Sequence, residues 1–261
     1  MGHTRIGRLN RSKKWKDVVK AFYDNDDYAQ IASKVLDAAS GGLNRERLSR
    51  DASYLKAVEL LVEMGIGAQD KNFVDHMRSV GIPLSDNPSV QELNYKLGQA
   101  IDDAGWNQNS LKTDLGEYAK YALQATVSQV AKEYIAQDIP GLIQRPDKEV
   151  FNSFGKTVNL ARMNQLFISK VTSGLLNDYI SLIAPNLTGT TERVMSIHAL
   201  DATYKALEQH CEETARVHLE YSKDWLGKHK YLLKDISGEK IKNHAIFMVD
   251  KMLRALKHGK D

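Results

Sequence analysis

The 261 residues are long enough for one large domain or two small ones. With 42% apolar and 26% charged residues, the composition is that of a globular chain and excludes wholesale disorder. The single cysteine, Cys211, excludes an internal disulfide and agrees with a reducing compartment.

Charge is unevenly spread along the chain. Residues 1–20 carry Arg5, Arg8, Arg11, Lys13, Lys14, Lys16 and Lys20 against Asp17 alone. Residues 223–261 are also rich in Lys and Arg, so the body between the basic ends is acidic although the net charge is only +3. Two readings follow. The ends contact nucleic acid or an acidic partner, or they dock on the acidic body itself. On the first reading Arg5, Arg8, Arg11, Lys13, Lys14 and Lys16 hold phosphates, and Trp15 among them is placed to stack on a base. On the second, Trp15 anchors its helix in the core.

The elements follow in chain order. Ser12 caps a first helix with Trp15, Val18, Val19 and Phe22 on one face. Asp26 caps a second, with Tyr28, Ile31, Val35 and Ala39 spaced for a core face, ending at Gly41-Gly42. Asn44 or Ser49 starts a third, striped by Tyr54, Ala57, Val58, Leu61 and Val62 and stopped at Gly65 and Gly67. A short helix aligns Phe73, Met77 and Val80 and closes at Gly81 and Pro83. Asn87-Pro88 opens the next, with a stripe of Val90, Leu93, Leu97, Ala100 and Ile101. Ser110 opens a long one with Leu111, Leu115, Tyr118, Ala122, Ala125, Val130 and Tyr134.

Residues 138–146, with Pro140, Gly141 and Pro146, are the best candidate boundary between an N-terminal region, 1–137, and a C-terminal region, 147–261. Beyond it, 157–184 is apolar on most of its circumference and belongs at the centre of a bundle. Lys170, Asn177 and Asp178 argue against its spanning a membrane. Thr190 or Thr191 starts a helix to about 226 with a heptad-like seam of Ile197, Leu200, Tyr204, Leu207 and Cys211. Ser237 caps the last, with Ile241, Ala245, Met248, Met252 and Ala255 on one side. No strand-length alternation and no constant repeat occur, so the expectation is an all-α, irregular multi-helix bundle of about nine or ten helices.

Chemical motifs are scarce. Gly155-Lys156-Thr157 has the ending of a phosphate loop, but Val150 stands where its first glycine belongs and no strand precedes it, so it reads as a helix start. His210, Cys211, Glu212, Glu213 and His218 share one helix without aligning three good ligands on a face, so neither metal nor cofactor is expected. Trp106 lies apart from any apolar stripe and reads as a surface contact.

Arg193-Val194-Met195-Ser196-Ile197-His198 resembles the arginine, four-residue gap and histidine of HEPN-type ribonucleases. That resemblance implies an all-helical fold, a dimer, and RNA cleavage with Arg193 and His198 as catalytic residues. Val194 departs from the polar residue usual after the arginine. Five residues of helix place the two side chains about 140° apart, so such a site needs two chains. The leading expectation is instead a non-catalytic interaction subunit of a bacterial, cytoplasmic complex. It would pack helices against a protein partner, with nucleic acid at its basic ends. A homodimer, or a role in bacterial conflict or defence, is compatible with either, and no membrane is expected.

Overall fold

A computed structural model describes residues 13–39, 48–69, 72–107, 113–135, 147–187, 196–217, 219 and 238–258. Ten helices occur among the described residues, and no strand. They are α1 (Lys13–Tyr23), α2 (Tyr28–Ala39), α3 (Ala52–Gln69), α4 (Phe73–Ser79), α5 (Val90–Asn107), α6 (Asp114–Ile135), α7 (Asp147–Ser153), α8 (Thr157–Leu187), α9 (Ile197–Thr214) and α10 (Gly238–His258). The all-α bundle read from periodicity is therefore the observed architecture. The 138–146 segment lies outside the described residues, and buried side chains from both sides of it join one hydrophobic cluster, from Trp15 to Leu256.

The centre is α8, which packs against α1, α2, α3, α6, α9 and α10. Its neighbours on every side explain its all-round apolarity: Leu166 is 1% and Leu175 2% exposed. On one flank, α3 to α7 pack together, and the rings of Phe73 and Phe151 stack at 4.9 Å. On the other lie α1, α2, α9 and α10.

Helix starts are set by short polar side chains, but at other positions than the sequence suggests. Asp27 rather than Asp26 caps α2, accepting from the Gln30 amide at 2.7 Å. Ser89 rather than Asn87 caps α5, accepting from the Glu92 amide. Ser196 caps α9, accepting from the Ala199 amide. For α3 the cap is Asp51, whose Oδ1 accepts from the Tyr54 amide at 2.9 Å. The other oxygen of Asp51 accepts from the Thr113 hydroxyl, which in turn accepts from the Gly116 amide at the start of α6. One buried carboxylate thus ties two helix starts together.

Ends also differ. Gly65 and Gly67 do not stop α3, which continues to Gln69. A Cβ on Gly65 would lie 2.6 Å from a Leu160 methyl, and one on Gly67 2.8 Å from the His76 ring, so their smallness serves packing. Gly81 does close α4: its φ of +88° belongs to the left-handed region, and the Ile82 amide reaches back to the Met77 carbonyl. Asn25, at φ +57°, closes α1 in the same way, with the Asp26 amide donating to the Ala21 carbonyl at 3.0 Å. This closure and the Asp27 cap fold α1 and α2 into a hairpin.

Candidate nucleic-acid interface

The hairpin lays α1 along α2 and buries Trp15, Val18, Ala21 and Phe22. Trp15 is 5% exposed and its ring lies 5.7 Å from that of Tyr179 on α8. It anchors α1 and cannot offer a face to a base. Of the residues read as nucleic-acid contacts, Lys13, Lys14 and Lys16 are exposed on α1, whereas Arg5, Arg8 and Arg11 lie outside the described residues.

α10 also packs on α2, and this brings the two ends of the chain together. The Lys14 ammonium donates to the backbone carbonyl of Asp37 at 3.1 Å. The Lys257 ammonium meets the carboxylate of the same residue at 3.0 Å. The Ser33 hydroxyl further donates to the Lys257 carbonyl. The C-terminal end of α2 explains the attraction. Its last carbonyls lack intrahelical partners and carry the negative end of the helix dipole, and Asp37 adds a full charge.

Docking on the acidic body is thus real for one cation from each end. Most of the others are exposed, whereas Lys251 is half-buried. Lys13, Lys16 and Arg254 are exposed and form no ion pair among the described residues. Lys20 makes only a 3.9 Å approach to Asp24, with both side chains mostly in water. Lys251 lies 5.8 Å from the centre of the Phe247 ring, and burial of its surroundings lowers its ammonium pKa below the usual lysine range. Lys14 of α1 and Lys257 of α10 thus meet at the end of α2, and further exposed cations stand on the same two helices.

Nearby, α2, α9 and α10 border an open pocket of about 420 Å³ lined by Asp27, Lys34, His210, Glu213 and Lys257 among others. Burial lowers the pKa of His210, although Glu213 and Asp27 pull it upward. Desolvation thus favours the neutral ring. Lys34 is held by Asp26 at 2.6 Å. Neighbouring Cys211 is fully buried, which raises its thiol pKa and removes it as a nucleophile.

One sequence reading changes here. Ile197, placed on a buried seam, is 86% exposed, and Leu200 and Tyr204 are only half-buried; the seam is buried from Leu207 onward. His198 stands exposed in the first turn of α9, while Arg193 lies outside the described residues. Gly155 is not part of a phosphate loop. A Cβ there would lie 2.7 Å from the backbone of Ala68 and Gln69, so this turn between α7 and α8 is pressed against the end of α3.

Sequence pattern did not reveal the meeting of α1 and α10 at Asp37. The separate charge balances of the two termini were the only hint. No family model, curated protein or solved structure matches the chain. No described helix is long and apolar enough to cross a membrane.

Proposed function

We propose that this protein is a non-catalytic interaction subunit whose two basic ends form a single face for nucleic acid, leaving other helix surfaces for a protein partner. The observation that carries the reading is the convergence of Lys14 and Lys257 on Asp37 from opposite ends of the chain. Two cationic segments separated by an acidic body gain little for a polyanion if scattered. Side by side, they present a row of ammonium and guanidinium groups to successive phosphates.

The test is fluorescence anisotropy with labelled oligonucleotides at several salt concentrations, comparing the full chain with a Lys13→Gln, Lys16→Gln, Arg254→Gln, Lys257→Gln variant. Weaker binding is expected, with a salt slope flatter by about 0.7–0.9 for each phosphate no longer neutralised. Absence of binding at low salt removes the proposal.

A second reading is favoured by Ile197. It is the most exposed large apolar side chain among the described residues and adjoins the exposed His198. A second chain covering Ile197 would enclose His198, as the HEPN-type ribonuclease resemblance requires. RNA cleavage abolished by His198→Ala, with the fold intact, would establish that reading. An inactive wild-type protein removes it.

A further inference from the structure

We infer that the basic face takes single-stranded nucleic acid, with bases stacked on Tyr23 and Phe247. This rests on the joined-ends reading above and adds which form of the polymer is held. Phosphates alone do not decide it, since lysines meet them on duplex and single strand alike. The aromatic side chains of the face do.

Tyr23 is 53% and Phe247 39% exposed, and each belongs to a basic row. On α1, Lys13, Lys16, Lys20 and Tyr23 follow at steps of three, four and three, which keeps them within one sector of the helix. On α10, Lys240, Phe247, Lys251 and Arg254 follow at steps of seven, four and three, again in one sector. A single exposed aromatic is ordinary. Here, each of the two helices that meet on α2 sets one among its outward cations. With Lys251 near it, the Phe247 ring is part of a mixed cationic and aromatic surface. That combination suits a strand whose bases are free: phosphates run along the cations and successive bases lie on rings. In a duplex the bases are already stacked on one another, and a ring could reach them only at the cost of unstacking a step.

The experiment titrates the full chain, at fixed low salt, into a labelled 20-nucleotide thymidine strand and into a labelled duplex of equal length. The strand is expected to bind at least about tenfold more tightly. Tyr23→Leu and Phe247→Leu are each expected to weaken strand binding by about fivefold or more, the lower end of the effect of removing one base stack. Binding to the duplex should hardly change. Both substitutions keep apolar bulk, and circular dichroism verifies that the helices survive. Tyr95→Leu serves as the control, since Tyr95 is 61% exposed on α5, away from the basic rows, and is itself approached by Lys96. If both forms bind and the lysine and arginine substitutions weaken them, but the duplex binds as tightly or the two aromatic variants behave as wild type, stacking is overturned and the basic face stands. If neither form binds, both proposals fall.

Discussion

Gly155 shows how a residue that looks chemical in sequence can be steric in structure. The Gly155-Lys156-Thr157 triplet suggests phosphate binding, yet the glycine's missing side chain is what lets the turn approach the Ala68 and Gln69 backbone. Backbone cannot swing aside as a side chain end can. Gly155→Ala should therefore destabilise the fold by about 1–3 kcal/mol in chemical denaturation. Gly238→Ala, where nothing lies within 4 Å of the added methyl, should be close to neutral. Equal effects would show that the approach at Gly155 is not tight. His210 gives a second prediction at this scale. Burial lowers its folded pKa, so below the ordinary histidine range the unfolded chain binds a proton that the folded chain resists. Stability from this residue is complete above that range and is lost as pH falls through it toward the folded value. The stability of wild type should therefore fall relative to that of His210→Gln as pH drops through this range, with the variant showing the flatter pH profile. Parallel profiles would mean that the ring is not desolvated.

At the scale of the element, apolar periodicity was a sound guide because it reports which face is covered, whatever covers it. Most of each stripe in α1, α2, α5 and α10 is buried as spaced, with Val19, Tyr28, Val90, Ala100 and Ala255 half-buried at the edges, and α8 is central because it is apolar all round. Boundaries were less legible. Several polar residues near each start can cap, and only packing selects one: Asp51 wins over Ser49 because its second oxygen also receives Thr113. Glycine was misread in α3, where closeness to Leu160 and His76 outweighs the cost of its flexibility. Ile197 was misread because a helical spacing says nothing about how far a partner helix extends. The Asp51 link has a measurable consequence. Asp51→Ala leaves the Tyr54 amide without its cap and Thr113 without its acceptor, in a residue only 7% exposed. A drop in stability of about 2 kcal/mol is expected. Amide exchange should quicken at the first turns of both α3 and α6. Faster exchange in α3 alone would show that the two starts are independent.

For the whole molecule, the decisive link joins residues 14 and 257 through residue 37, a separation that no local pattern records. Charge counts showed two basic ends; they could not show that α2 would lie between both. The same link separates the two meanings of the basic ends. Asp37 holds Lys257 at 3.0 Å, with the aspartate side chain 57% exposed and the lysine 28%. An ion pair so open to water contributes no more than about 1 kcal/mol. Asp37→Asn removes one negative charge from the middle of the face and releases the Lys257 ammonium. Lys14 keeps its acceptor, because it uses the backbone carbonyl. If the ends serve only to dock on the body, the variant is slightly less stable and gains nothing. If the face holds a polyanion, the variant should bind nucleic acid more tightly than wild type. Its salt slope should steepen by roughly 0.7–0.9, the increment for one further phosphate neutralised. Stability and affinity then move in opposite directions, which general damage to the fold would not produce. Wild-type affinity in a folded Asp37→Asn protein would assign the convergence at Asp37 to docking alone.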